Sequence, residues 1–140
     1  VWEQRRYMLL PKNLCRLGSA GTTVTQSAPE GVFDRVLVDA PCSNTGVLRR
    51  RPDARWRWDA DHLRQLVGLQ AQILSAAAAH VAPGGLLVYS TCSNEPEENE
   101  EQVASFLAAH PDFTEVGRRA SLPIESGHDG AFACALKRIG

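Results

Sequence analysis

Two cysteines in the sequence each lie just after an apolar run that is typical of a buried β-strand. Cys42 lies in the turn 39–46 (DAPCSNTG), and Cys92 lies in the turn 90–93 (STCS). β-Branched and aliphatic residues precede both turns, and small polar residues fill them. Because a thiolate is a strong nucleophile, this pattern predicts two candidate catalytic thiols at two equivalent strand ends. Cys92 is the first candidate, because open α/β sheets hold ligands at the carboxyl ends of their strands.

The ionisation of Cys92 depends on two opposing features next to it. An unperturbed cysteine has a pKa of about 8.5. A helix beginning near Pro96 would lower this pKa through its free amides, while Glu95, Glu97 and Glu98 would raise it. The sequence leaves the direction of the shift open. The three glutamates are interpreted as residues that favour a helix start and form its solvated face.

The elements that would position both turns alternate between helix and strand. The first part of the chain predicts a helix over 3–17 that breaks before Pro11 and ends at Gly18, a short strand over 22–26 and a buried strand over 32–39. The strand over 32–39 leads directly into the first cysteine turn. The order of these elements is compatible with an α/β sheet.

The second part of the chain predicts a helical crossover between parallel strands. An amphipathic helix begins at Asp59 or Asp61 and ends at the turn 83–85 (PGG), and a strand over 86–91 then lies parallel to 32–39. The remaining elements are a helix that begins near Pro96 and two antiparallel strands over 112–116 and 131–137. We therefore expect an α/β fold that is the downstream part of a doubly wound sheet.

A basic segment with aromatic residues follows the first cysteine turn. Residues 49–58 (RRRPDARWRW) carry five arginines and two tryptophans. Arginine pairs with phosphates and aromatic rings stack on bases, so this segment is a candidate nucleic-acid surface. The alternative is a solvated loop whose tryptophans cover the edge of the domain. The candidate contacts are Arg49, Arg50, Arg51, Arg55 and Trp56.

Size and composition exclude several classes of protein. The chain has 140 residues, 44% of them apolar, which is enough for one domain with a single core. It has no apolar run long enough to cross a membrane, so we expect a soluble cytoplasmic protein. Its four cysteines form no C-x-x-C pair, so no metal site is expected, and Cys15 and Cys134 are interpreted as packing residues. The formal net charge is −1, so nucleic-acid binding would depend on a local basic patch.

The two cysteine motifs together resemble the RNA cytosine-C5 methyltransferases of the Nop2/Sun family. That family has a Pro-Cys motif, here in 39–46, and a Thr-Cys motif, here in 90–93, at corresponding strand ends. The segments 46–56 (GVLRRRPDARW), 96–99 (PEEN) and 129–132 (DGAF) are similar to the bacterial branch that methylates small-subunit ribosomal RNA. The resemblance covers nearly the whole chain.

The resemblance implies a Rossmann-like class I methyltransferase fold with a mostly parallel sheet, S-adenosylmethionine as cofactor and RNA as partner. It implies that residues 1–140 are the C-terminal portion of the catalytic domain, without its first strands and their Gly-rich turn. Cys92 would add to C6 of a cytosine, and Cys42 would assist release of the methylated base. Asp39 would lie at the methyl donor and the target base, with Pro41 beside the donor.

Two other interpretations remain open on the sequence. A truncated or degenerate member would bind RNA without catalysis, because an acidic residue that usually contacts the adenine would align near Ser27 and Ala28, and neither is acidic. A DNA cytosine methyltransferase also has a Pro-Cys motif, but Cys42 would then be the nucleophile, and the Thr-Cys motif argues against this. The leading hypothesis is formation of 5-methylcytosine in ribosomal RNA.

Overall fold

The structure, a computed structural model, describes residues 14–19 and 21–140. It divides into two units, residues 1–31 and 32–140, and the β-sheet lies entirely in the second unit. The strands and helices that carry both cysteine turns therefore belong to one unit.

The first unit contains a helical turn at residues 14–16 that ends at Gly18. Gly18 has a φ of 68°, and its N–H donates to the Cys15 carbonyl at 3.1 Å, so the predicted cap is confirmed. The earlier part of the predicted helix, including Pro11, lies outside the described residues. The strand predicted over 22–26 is wrong, since these residues are not part of the described sheet. A β-prone run becomes a strand only where a neighbour completes its ladder of hydrogen bonds.

Four strands form a mixed sheet in the second unit. They are β1 (Phe33–Asp39), β2 (Val81–Thr91), β3 (Phe113–Ser121) and β4 (Ala131–Arg138), in the spatial order β1-β2-β4-β3. β1 and β2 are parallel and β3 and β4 are antiparallel, both as predicted. β2 and β4 are also antiparallel, so the described part of the sheet is mixed instead of mostly parallel.

Helices and 3₁₀ turns connect these strands in the described part of the chain. The helices are α1 (Ala60–Ala78), α2 (Glu100–Ala109) and α3 (Pro123–Ser126), and the 3₁₀ turns are Thr45–Val47, Pro52–Arg57 and Pro96–Glu98. Asp59 is the N-cap of α1, because its carboxylate accepts the N–H of His62 at 2.8 Å. α1 is the crossover that the parallel pairing of β1 and β2 requires.

The turn predicted over 83–85 lies inside β2. α1 ends at Ala78 and β2 begins at Val81, so the chain enters the sheet earlier than predicted. Between Val81 and Leu86 the register with β1 shifts, and Gly84 takes a φ of 75°. The Pro-Gly-Gly run therefore forms an irregularity within a strand, which is a position where proline and glycine are tolerated.

The core lies between one face of the sheet and the helices α1 and α2. Successive side chains of a strand point to opposite faces, and those that face the helices are buried. Leu87 and Tyr89 of β2 and Leu136 of β4 are fully buried, and the helices contribute Leu74 and Phe106. Burial of one such side chain stabilises the fold by about 1.5–3 kcal/mol. This packing fixes the positions of the strand ends that carry the cysteines.

Candidate active site

The cysteines of the two turns are in direct contact. Asp39 pairs with Ser90 in the parallel register of β1 and β2, so the residues that follow leave the sheet at the same edge. The sulfur atoms of Cys42 and Cys92 lie 3.3 Å apart, within hydrogen-bond distance for sulfur. Cys42 is buried and Cys92 is half-buried. The structure therefore brings together the two thiols that the sequence predicts at equivalent strand ends.

This contact separates the acidities of the two thiols. Donation from the Cys42 thiol lowers the pKa of Cys92 to about 7, although burial and the Asp39 carboxylate act in the opposite direction and Arg51 assists. The same hydrogen bond, followed by burial, raises the pKa of Cys42. The two groups titrate as a pair, and Cys92 is the group that ionises first. The sequence left open whether the pKa of Cys92 is raised or lowered. It is lowered, and the main cause is the hydrogen bond from Cys42.

Asn44 fixes the shape of the turn that carries Cys42. It has a left-handed φ of 63°, a conformation that asparagine tolerates better than most residues. Its Nδ2 donates to the Cys42 carbonyl at 2.7 Å, and its Oδ1 accepts from Cys92 Sγ at 3.2 Å. Because the side-chain N–H₂ donates to Cys42, the amide oxygen faces Cys92, and Asn44 bridges both cysteines. Asn44 was not identified as a site residue from the sequence.

A buried carboxylate, Glu98, holds the same turn. Its side chain is fully buried and accepts the Ser43 N–H at 2.9 Å, the Ser43 hydroxyl at 2.5 Å and Gln70 Nε2 at 2.9 Å. Gln70 also donates to the Pro41 carbonyl at 2.9 Å. A carboxylate is buried at acceptable cost only where several donors replace its water. The interpretation of the glutamates as a solvated helix start is therefore wrong for Glu98.

A second group of hydrogen bonds holds the turn 90–93. Thr91 Oγ1 donates to Asn99 Oδ1 at 2.6 Å, and Asn99 Nδ2 donates to the Ser93 carbonyl at 3.0 Å. The Ser93 hydroxyl lies 3.1 Å from that of Ser43, which connects this group to the other turn. Asn99 and the buried Glu98 both lie in the motif PEEN, which is the feature of the sequence that could have identified them as site residues.

Gly46 allows three chain segments to meet beside the cysteines. Its N–H donates to the Cys92 carbonyl at 3.0 Å, and its carbonyl accepts the Gly130 N–H at 2.7 Å. A Cβ at this position would lie 2.5 Å from the Gly130 oxygen and 2.8 Å from the Cys92 oxygen. Only glycine fits here without movement of the backbone.

A cleft of about 570 Å³ opens beside Cys92. Asp39 lines this cleft, and its Oδ1 accepts from the Ser90 hydroxyl at 3.4 Å. Arg119 of β3, which the sequence did not single out, also lines it and adds a cation. Pro41 lies outside the lining. The cleft therefore joins a carboxylate, a cation and the Cys92 sulfur at one end of the sheet.

The basic segment 49–58 presents an exposed aromatic ring. It has neither helical nor strand periodicity and includes the 3₁₀ turn Pro52–Arg57. Trp56 is 85% exposed and Trp58 is 48% exposed. The alternative in which the tryptophans cover the domain edge is therefore wrong for Trp56. A ring with this exposure is available for stacking.

The arginines of this segment differ in how they are held. The Arg50 guanidinium pairs with Asp129 at 2.8 Å, and Arg49 donates to a backbone carbonyl at 3.4 Å. The side chains of Arg51 and Arg55 are exposed. The charge of Arg51 also helps to lower the pKa of the Cys92 thiol.

The remaining two cysteines differ from each other in burial. Cys134 is buried in β4, as predicted, and burial raises its pKa to about 11. Cys15 is exposed in the first unit, so its interpretation as a packing residue is wrong. The whole stretch 15–19 is exposed, because the helical turn that carries Cys15 lies at the surface of its unit.

The described residues contain neither a cluster of metal ligands nor a membrane-spanning helix. No three potential metal ligands lie together within 14–19 and 21–140. Over the same residues, no helix has the length and apolar character that a membrane span needs.

Two solved structures share this arrangement of strands and helices. NSun6 from Pyrococcus horikoshii, solved with SFG, matches 97% of this chain with a TM-score of 0.84 at 24% identity, and the match covers 39% of that chain. A methyltransferase homolog protein from Pyrococcus horikoshii matches 97% of this chain with a TM-score of 0.83 at 25% identity, and the match covers 51% of that chain. The fold is therefore that of a Rossmann-like methyltransferase, as the sequence predicted.

Sequence comparison narrows this class to one family. The profile of the family described as 16S rRNA methyltransferase RsmB/F matches residues 2–136. The ribosomal RNA small subunit methyltransferase B of Klebsiella pneumoniae is 48% identical over 97% of this chain, and that of Sodalis glossinidius is 50% identical over 93%. The chain belongs to the RsmB/F family, as its cysteine motifs predicted. It spans about a third of the length of these relatives, 35% and 33% respectively.

Proposed function

We propose that the protein transfers a methyl group to C5 of a cytosine in small-subunit ribosomal RNA, with Cys92 as the nucleophile. The observation that carries this proposal is the 3.3 Å contact in which the Cys42 thiol lowers the pKa of Cys92. Addition to C6 of a cytosine needs a thiolate near neutral pH, because a protonated thiol is a poor nucleophile. The choice of RNA rests on the family and on the names of its relatives.

The proposed covalent step has a simple balance of bonds. The Cys92 sulfur forms a bond to C6, and the electron pair of the C5–C6 double bond makes C5 nucleophilic. C5 would then take up the methyl group as the bond between that group and the sulfur of the donor breaks, and a base would remove the C5 proton. The double bond then re-forms, the S–C6 bond breaks and the thiolate leaves. The target base must leave its stack to reach the sulfur.

Cys42 is proposed to assist this release. Its thiol lies 3.3 Å from the Cys92 sulfur, so it can donate to the thiolate that develops as the S–C6 bond breaks. Glu98 supports this position, because it holds the backbone of Ser43 next to Cys42. Loss of the Cys42 thiol would slow release more than addition.

S-Adenosylmethionine is the cofactor of this proposal, and when bound it supplies the electrophilic methyl group. The Asp39 carboxylate fits this cofactor, because it lines the cleft beside Cys92 and can accept from an ammonium group. It can equally accept from the amino group of a cytosine. Pro41, in the same turn, is proposed to border the cofactor. The cleft volume of about 570 Å³ lies in the range of small-molecule sites.

RNA is proposed to bind along the basic segment 49–58. The proposed contacts are Arg49, Arg50, Arg51, Arg55 and Trp56. Arginine suits phosphate and an exposed tryptophan suits base stacking, and Arg51 lies close enough to the nucleophile to affect its pKa. A cytoplasmic location is proposed with this substrate, because bacterial ribosomes are in the cytoplasm.

The test is an adduct assay with RNA that carries a mechanism-trapping cytosine analogue. Wild type should form a covalent complex that survives denaturing electrophoresis, and Cys92→Ala should form none. Cys42→Ala should retain the complex and also accumulate it with ordinary cytosine, because release is slowed. Cys15→Ala is the matched control and should behave as wild type. Loss of the complex in Cys42→Ala alone would overturn the assignment of the nucleophile.

A second candidate function is RNA binding without methyl transfer. The 85% exposure of Trp56 favours it, since stacking on RNA needs no cofactor. The same assay separates the two functions. Wild type that binds the RNA without forming a covalent complex would support the second candidate.

A further inference from the structure

We propose that hydrogen peroxide converts Cys42 and Cys92 into a reversible disulfide, which makes the pair a site of oxidative modification. The two thiols are the reactants and the peroxide is the oxidant. The disulfide itself does not depend on the proposed function. The loss of methyl transfer that would follow from it rests on that function.

The geometry of the two turns favours a disulfide. The sulfur atoms are 3.3 Å apart, and a disulfide of about 2.05 Å requires an approach of about 1.3 Å. Both cysteines follow paired parallel strands, so their turns leave the sheet at the same edge. Both cysteines also lie beyond the last strand residue, in turns that have no ladder to break.

The exposure of the two sulfur atoms sets the order of reaction. Cys92 lines the cleft and is half-buried, so a molecule as small as peroxide can reach it. Cys42 is buried behind it and meets the oxidant second. Redox-sensitive cysteines combine thiolate character, access and a neighbouring thiol that resolves the first product. Cys92 and Cys42 meet these three conditions.

The two steps balance in atoms and electrons. The Cys92 thiolate attacks one peroxide oxygen, so an S–O bond forms, the O–O bond breaks and hydroxide leaves to become water. Once Cys92 is oxidised, the hydrogen bond that raised the pKa of Cys42 is lost. The Cys42 thiol then gives its proton to the departing hydroxyl group as its sulfur attacks the Cys92 sulfur, so the S–S bond forms, the S–O bond breaks and a second water leaves. The two thiols lose two electrons and the peroxide gains them.

The disulfide would remove both groups that the proposed reaction needs. Cys92 would no longer have a thiolate to add to C6, and Cys42 would no longer have a proton to donate. A thiol reductant would restore both groups. The same 3.3 Å contact that activates the nucleophile would therefore make it sensitive to oxidation and protect it from irreversible oxidation.

The experiment exposes the chain to hydrogen peroxide, blocks the remaining thiols with N-ethylmaleimide and measures intact and peptide masses. Wild type should be about 2 Da lighter before blocking and should carry N-ethylmaleimide at two fewer thiols after it than the reduced protein. It should also yield one cross-linked pair of peptides that contains Cys42 and Cys92, and regain both thiols with dithiothreitol. Cys15→Ala should give the same result. Oxygen added to Cys92 without a cross-link, or a cross-link to Cys15 or Cys134, would overturn the proposal.

The variant Cys42→Ala tests the resolving role. It should give no cross-link, and Cys92 should gain about 16 or 32 Da, which dithiothreitol does not fully reverse. Cys42→Ser keeps the volume and polarity of the buried position closer to those of the native thiol, and it replaces the alanine variant if that variant does not fold. It should behave in the same way. Equal recovery of the Cys92 thiol in wild type and in both variants would overturn the proposal.

Adduct formation on the same samples separates this inference from the proposed function. Oxidised wild type should lose the covalent complex with the trapping RNA and regain it after reduction. A reversible cross-link in a protein that forms no complex before oxidation would establish the disulfide and overturn the proposed function. A covalent complex that forms in the reduced protein, without any cross-link after oxidation, would support the proposed function and overturn the disulfide.

Discussion

Cys42 affects Cys92 through one hydrogen bond, in which Cys42 is the donor because the Cys92 thiol donates to Asn44 Oδ1. The donor thiol favours the thiolate of its neighbour, and that gain outweighs the burial and the Asp39 charge that oppose it. Asn44 adds a second constraint, because its amide bonds both cysteines. The reactivity of Cys92 is therefore a property of the pair and not of its own turn.

The pH dependence of Cys92 alkylation follows from this pairing. The rate with iodoacetamide should rise with pH, pass a midpoint near 7 and level off above it, because only the thiolate reacts. Cys42→Ala should move the midpoint upward, since the donor to the thiolate is removed, and alkylation at neutral pH should slow. The rate is read from the mass of the peptide that contains Cys92. The Cys15→Ala control should keep the midpoint near 7. A midpoint that also stays near 7 in Cys42→Ala would contradict this account.

At the scale of elements, the site depends on three segments that meet at the end of two parallel strands. α1 contributes Gln70, the 3₁₀ turn Pro96–Glu98 contributes Glu98, and both bond the turn after β1. Gly46 and Gly130 bring the start of β4 against the same turn. These contacts hold the Cys42 turn in an irregular conformation, which is not stabilised by strand-to-strand backbone hydrogen bonds.

Substitution of Glu98 tests whether this carboxylate positions Cys42. Glu98→Gln keeps the size of the side chain but removes the charge that accepts the Ser43 hydroxyl, so stability should fall by about 1–3 kcal/mol. The midpoint of Cys92 alkylation should also move upward, because the donor thiol is held less well. Urea unfolding and the alkylation profile measure the two effects. Glu101→Gln, an exposed residue of α2, is the matched control and should change neither. A stability loss with an unchanged alkylation midpoint would assign Glu98 to folding alone.

At the scale of the whole molecule, charge favours a local RNA surface over a general one. The formal net charge is −1, so the chain as a whole does not attract a polyanion. Arg50, Arg51 and Arg55 are all exposed, but the charge of Arg50 is paired with Asp129. Arg51 and Arg55 should therefore contribute more electrostatic affinity for RNA than Arg50 does.

The salt dependence of RNA binding tests this distribution of charge. Arg51→Ala combined with Arg55→Ala should weaken binding and reduce the slope of log K against log salt by roughly 1 for each phosphate that the variant no longer neutralises. Arg50→Ala should have a smaller effect, since its charge is already paired. Arg64→Ala, in which a paired arginine of α1 is removed, is the control. Fluorescence anisotropy with labelled RNA at several salt concentrations measures the slope. An unchanged slope in the double variant would show that Arg51 and Arg55 do not contact the phosphates of the RNA.

The sequence by itself determined the α/β order, the parallel pairing of the two strands before the cysteine turns, the antiparallel hairpin and the family. These features follow from local patterns: apolar β-branched runs, an aspartate cap before α1 and turn residues at fixed positions. The same patterns gave a wrong strand over 22–26 and a wrong turn over 83–85. Both errors concern residues whose conformation depends on whether a neighbouring strand is in place.

Only the tertiary structure decided the ionisation and the support of the site. Cys42 and Cys92 are 50 residues apart in sequence, and the hydrogen bond between their sulfur atoms exists only because β1 and β2 end in register. Glu98 looked like part of a solvated helix start, yet its carboxylate is buried against Ser43, 55 residues away. A pKa depends on distances of a few ångströms between groups that are distant in sequence, and such distances are set by the packing of the sheet against its helices.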